Sequence, residues 1–140
     1  MAVKTVDRSV FQRILGIPAT PPPVNPKCWT YGNGRITIDL DKAPELSSPG
    51  GALRLEKGGL PERVLVVRGE NDDFKAYRNR CTHVGHRRLD PVPGTNMVQC
   101  CSVSKSTFDA EGRNVSGPGT NPVDTYAVEK DGNRLTVILG

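Results

Sequence analysis

The chain of 140 residues is 36% hydrophobic and 24% charged with a net charge of +4, enough for one domain with a core and too short for two ordinary ones. No apolar run approaches the roughly 20 residues of a membrane span, and Lys4, Asp7, Arg8 and Arg13 interrupt any secretory leader. Basic residues are dispersed apart from Arg78, Arg80, Arg87 and Arg88, without the aromatic-bearing stripe of a nucleic-acid binder, so a cytoplasmic protein with no nucleic-acid partner is expected.

Val6, Val10, Phe11, Ile14 and Leu15 fall at helical spacing ahead of Gly16 and Pro18, which predicts a short N-terminal helix within residues 1–17. Residues 18–26 carry five prolines and read as a stiff, extended connector. The expected organisation is therefore residues 1–28 as helix and connector, then residues 29–140 as the domain. Within that domain, short β-branched or alternating runs predict strands at 35–40, 52–55, 64–68, 74–77, 97–100, 107–109, 126–129 and 135–139. Gly- and Asn-rich turns separate them, with Asp131-Gly132-Asn133 as a hairpin turn. The pattern is all-β.

Four cysteines, Cys28, Cys81, Cys100 and Cys101, are spaced against a disulfide framework, since two are adjacent and one is remote. Cys81 and His83 share one turn-bounded segment, and Cys100-Cys101 follow on a second. Thiolate and imidazole together are the ligands of zinc, copper and iron–sulfur centres. Cys100, one residue before Cys101 on a predicted strand, should point the other way and pack as a buried thiol.

On these residues the sequence resembles the Rieske-type iron–sulfur family, whose two loops read Cys-x-His-x-Gly and Cys-x-x-His-Gly-Ser-x-Phe/Tyr-Asp, followed by a Gly-Pro covering loop. Cys81, His83 and Gly85 match the first loop; Cys101, Ser106, Phe108 and Asp109 match the second; Ser116-Gly117-Pro118 matches the third. The resemblance covers roughly residues 29–140 and implies an antiparallel β-sandwich with a small cluster-binding subdomain. It also implies a 2Fe–2S cluster, with Cys81 and Cys101 on the inner iron and His83 on the outer one. His86 and Val103 stand where high-potential members form a disulfide, which points to the ferredoxin-like branch.

The second loop departs from the pattern. Ser104 stands in place of the second histidine ligand and Lys105 in place of the glycine after it. A serine oxygen is a poor substitute for imidazole, so His86, the only other histidine, is the better fourth ligand. An alkoxide from Ser104 would make the oxidised cluster anionic and lower its potential below the Rieske range of about −150 to +300 mV; His86 would leave it neutral.

Three functions follow. The first is a non-catalytic electron-transfer component with one altered ligand, served by a reductase and an acceptor oxidoreductase. The second is a scaffold or interaction module of the same fold without its cluster. The third is a mononuclear zinc or iron site built from Cys81, His83, Cys101 and His86. No Ser–His–acid set, phosphate loop or flavin fingerprint suggests an independent enzyme.

Overall fold

A computed structural model of the protein describes residue 20 and residues 22–70, 73–82, 88–92, 94–101, 105–117 and 121–139. The helix expected within residues 1–17 lies outside these. Among the described residues the chain forms β1 (Trp29–Gly32), β2 (Arg35–Asp39), β3 (Ala52–Leu55), β4 (Val64–Arg68), β5 (Phe74–Arg78) and β6 (Leu89–Pro91). It continues with β7 (Val98–Cys100), β8 (Thr107–Phe108), β9 (Asn114–Ser116), β10 (Thr125–Asp131) and β11 (Arg134–Ile138). Three single-turn 3₁₀ helices, Pro26–Cys28, Leu40–Lys42 and Pro44–Leu46, make the connections around β1 and β2.

The strands assemble into a seven-stranded sheet, β1-β2-β11-β10-β5-β4-β3, and a four-stranded sheet, β6-β7-β8-β9. All pairings are antiparallel. β10 is the joint of the larger sheet: Ala127 to Asp131 pair with β11, while Thr125 and Tyr126 pair with Tyr77 and Ala76 of β5. The β10–β11 hairpin closes through Gly132-Asn133, as the sequence predicts.

Alternation explains which side chains go inward. Ile36 and Ile38 of β2, Leu53 and Leu55 of β3, and Leu135 and Val137 of β11 are fully buried in one core. β4 reads as an unbroken apolar run because both of its faces are covered. Val64 and Val66 enter that first core, whereas Leu65 and Val67 enter a second. Tyr77, Leu89, Val98, Cys100 and Phe108 complete the second core, which joins the small sheet to β4 and β5. Three strands, β1, β6 and β9, had no counterpart among the predicted runs.

The connector enters this frame through the Asn25 side chain, which accepts the Lys27 N–H at 3.0 Å and starts the turn that buries Cys28 in the first core. Among the described residues no helix is long and apolar enough to cross a membrane.

Candidate metal centre

The first loop grows out of β5. Asn79, fully buried one residue past that strand, holds both ends of the loop that follows. Its N–H donates to Arg63 O at 2.8 Å, and its carbonyl accepts from Arg63 Nε at 3.1 Å. Its Oδ1 accepts the Leu89 N–H at 2.6 Å across ten residues. Residues 80–88 are thereby closed at the base, with Cys81 just inside. Thr82 Oγ1 donates to Asn121 O at 2.7 Å and ties the loop to the segment leading into β10.

The second loop starts where β7 ends. Cys100 N–H donates to Ser106 O at 2.7 Å, which closes that loop in turn. Cys101 N–H donates to Arg88 O at 3.0 Å, the last residue of the first loop. The two loop bases are thus neighbours, and each carries a cysteine only 1% exposed, Cys81 on one and Cys101 on the other. Lys105 has φ 51, the left-handed backbone that a glycine would adopt without strain, so the turn keeps that conformation despite the substitution. The third loop packs directly on the second. A Cβ on Gly117 (φ 90) would lie 2.5 Å from the Cα of Ser106.

The electrostatics suit a bound cation. Burial, then the neighbouring Cys100 and Asp90, pushes the Cys101 thiol up to about 11. A thiolate there requires compensating positive charge, which a metal supplies. Arg88, the guanidinium at this end of the loop, is already engaged by both carboxylate oxygens of Glu56. Asn79 Nδ2, two residues before Cys81, is buried with no acceptor among the described residues. The residues present therefore fit a thiolate-held metal group.

Of the predicted site residues, the structure places Cys81 and Cys101 on adjoining loop bases. His83, His86 and Ser104 lie outside the described residues, and among the described ones no three His, Cys, Asp or Glu side chains gather to hold a metal. Cys100 faces Leu89 across the β6–β7 ladder and packs in the second core, as strand alternation requires. None of the four cysteines is disulfide-bonded. Two arginines of the cluster near the first loop are paired, and Arg87 lies outside the described residues. Arg78 pairs with Glu62 at 2.6 Å and Asp124 at 3.6 Å, and Arg88 with Glu56. Arg80 lines a cleft of about 180 Å³ beside Cys81 and Thr82, walled on the other side by Asn121, Pro122 and Asp124. Sequence reasoning missed Asn79, although its position two residues before a candidate ligand was a usable signal.

A two-sheet β-fold that sets two buried cysteines on adjoining loop bases, with Gly117 packed on the second, defines an antiparallel β domain with a candidate thiolate metal centre. The chain belongs to the Rieske [2Fe-2S] domain family, which matches residues 38–127. Among solved structures it is similar to the ferredoxin of carbazole 1,9a-dioxygenase from Nocardioides aromaticivorans IC177. That likeness has 25% identity and a TM-score of 0.55, over 74% of this chain and 95% of that one. A chain in the complex of reduced oxygenase and oxidized ferredoxin in carbazole 1,9a-dioxygenase matches at 20% identity, TM-score 0.59, over 76% and 94% respectively. The cyanobacterial plasma membrane Rieske protein PetC3 from Synechocystis PCC 6803 shares the fold at 24% identity, TM-score 0.51, over 61% and 84%. No curated protein matches the sequence. The chain's fold is shared with the Rieske ferredoxins among these structures.

Proposed function

We propose that the protein is a one-electron carrier whose 2Fe–2S cluster is held by Cys81, Cys101 and His83, with His86 rather than Ser104 as the fourth ligand. The observation that carries this reading is the pair of fully buried thiols on adjoining, hydrogen-bonded loop bases. When bound, the cluster supplies reversible one-electron uptake and release. The chain's own residues do the rest. Cys81 and Cys101 bind as thiolates; Asn79 and the Cys101–Arg88 and Cys100–Ser106 bonds fix the loop bases; Gly117 lets the chain leaving β9 pack directly against Ser106. The left-handed backbone kept at Lys105 supports a working second loop over a scaffold that has lost its cluster.

Electrons would arrive from a reductase and leave to an acceptor oxidoreductase, by analogy with the ferredoxin found in complex with an oxygenase. The domain proper spans residues 29–140. Four cysteines without a disulfide suit a reducing, cytoplasmic setting.

Anaerobic purification followed by iron, acid-labile sulfide and zinc analysis tests the reading. Two irons and two sulfides per chain, with a reduced-state EPR signal, are expected. A chain expressed with the iron–sulfur assembly machinery that carries neither iron nor sulfide refutes the carrier, and one zinc per chain supports the mononuclear site. His86→Ala should change the spectrum while Ser104→Ala does not; the reverse result moves the fourth ligand to Ser104.

A further inference from the structure

The second face of the small sheet is polar, buried, and unused by the chemistry above. Cross-strand register sets Asp90, Gln99 and Thr107 in one row over β6, β7 and β8. Leu89, Val98, Cys100 and Phe108 occupy the opposite face, in the second core. No member of the polar row is more than 1% exposed. Gln99 Nε2 donates to Thr107 Oγ1 at 3.0 Å, and that hydroxyl donates to Lys105 O at 3.0 Å, at the end of the second loop. At the other end of the row, Asp90 Oδ1 accepts the backbone N–H of Thr20 at 2.8 Å, seventy residues away in sequence. Thr20 is itself buried and lies outside the region that matches the family. From there the chain runs to Val24, whose N–H donates to Glu45 Oε2 at 2.8 Å, and on to the buried Cys28.

Asp90 sits two residues beyond Arg88, whose carbonyl holds the Cys101 N–H. We propose that Asp90 is a positioning residue for the Cys101 side of the metal centre, and that the N-terminal arm, through the Thr20 amide, is the latch that holds it there. This deepens the reading of Cys101 as a ligand and rests on it for the effect on metal; the latch itself does not. Loss of either partner leaves the other, the Asp90 carboxylate or the residue-20 amide, buried and under-solvated. Letting β6 open toward water relieves it, and that opening releases the Arg88–Cys101 bond.

Hydrogen–deuterium exchange of the full-length chain, as purified, compares Thr20→Ala, which keeps the amide N–H, with Thr20→Pro, which deletes it. A lost hydrogen bond to a charged group corresponds to about ten- to hundredfold faster exchange by local opening. That increase is expected over residues 88–101 in Thr20→Pro, with β2 and β11 unchanged. Asp90→Val should reproduce it, and Asp90→Asn, which keeps an acceptor oxygen, should restore most of the protection. Should Thr20→Pro not fold, the Asp90→Val and Asp90→Asn pair carries the same comparison. Unchanged exchange over 88–101, or an increase shared equally by β2 and β11, overturns the latch. In iron-loaded protein the opened variants should lose iron to a chelator faster. Iron release at the wild-type rate despite faster exchange overturns the positioning role. A chain that never takes up iron refutes the ligand reading instead, and the exchange data still decide the latch.

Discussion

Replacing Gly117 with alanine puts a number on the contact between the covering loop and the second ligand loop. Two costs add. The first is conformational: at φ 90 an L-residue is disfavoured by about 1–2 kcal/mol. The second is steric, because the new Cβ would meet the Ser106 Cα at 2.5 Å and its N at 2.9 Å, backbone atoms that cannot rotate away. Overpacking of that kind costs about 1–3 kcal/mol. The sum, about 2–5 kcal/mol, is a large share of the roughly 5–15 kcal/mol of an ordinary domain. Gly132→Ala separates the two costs. Gly132 also has positive φ, 59, but a Cβ there meets nothing within 4 Å. Both variants equally lose the extra unfolded-state freedom of glycine, so that term cancels. Urea denaturation should therefore show Gly117→Ala less stable than Gly132→Ala by about 1–3 kcal/mol, a midpoint gap on the order of 1 M at usual m-values. Equal losses in the two variants would refute the packing of Gly117 on Ser106.

Lys105→Gly should gain about 0.5–1 kcal/mol, since it relieves φ 51 and gives part of that back as unfolded-chain entropy; a lower thermal midpoint would show that the lysine side chain outweighs the strain. Leu65→Ala, which empties the second core beside the metal loops, should cost about 2–5 kcal/mol by denaturant unfolding, and a loss under 1 kcal/mol would contradict its full burial. Burial raises the Glu56 carboxyl, but the hydrogen bond and charge of Arg88 outweigh it and hold the group below its ordinary 4.5. A depressed carboxyl contributes stability that is present above about pH 4.5 and lost as pH falls through the folded value. Stability measured from about pH 6 to pH 3 should therefore fall less steeply in Glu56→Gln than in the parent, and parallel curves would count against the pair. Tyr77→Phe deletes the phenol that donates to Ala110 O at 3.0 Å and should cost about 1 kcal/mol, read as a shift in the urea midpoint.

Much of the larger sheet was legible because its strands obey one rule. β3 and β4 fall on the predicted runs, and β2, β5, β10 and β11 overlap theirs, since each carries alternating or continuous apolar residues, with β-branched or aromatic ones in all but β3. β6 did not stand out because Leu89-Asp90-Pro91 holds a charge and a proline. Its polar residue is buried by chain seventy positions away, which no local pattern announces. β9 is short and mostly polar, and its partner alone defines it, whereas β1 alternates Trp29 and Tyr31 with Thr30 and Gly32, a strand signal that was there and was missed. At the candidate metal centre, residue type and spacing picked out the two thiols that the structure sets on adjoining loop bases, and strand alternation placed Cys100 in the second core. The supports were not visible in the same way. Asn79 and Asp90 each accept a hydrogen bond from backbone distant in sequence, and neither side chain advertises its partner. The resemblance marked residue 105 as a glycine position; that a lysine there takes the left-handed backbone was not legible.

β4 makes the two cores back onto one another across a wall a single strand thick, with Val64 and Val66 on one side and Leu65 and Val67 on the other. Close-packed interiors transmit displacement rather than absorb it. A volume change among Ile36, Leu53 or Leu135 therefore reaches the ligand loops through this strand, without touching either loop. The route runs both ways: slack opened under the loops at Leu65 can be taken up from the far side, by refitting Val64 or Val66. The small sheet, for its part, owns only half of its interior, and Leu65, Val67 and Tyr77 would have to travel with it into any transplanted version.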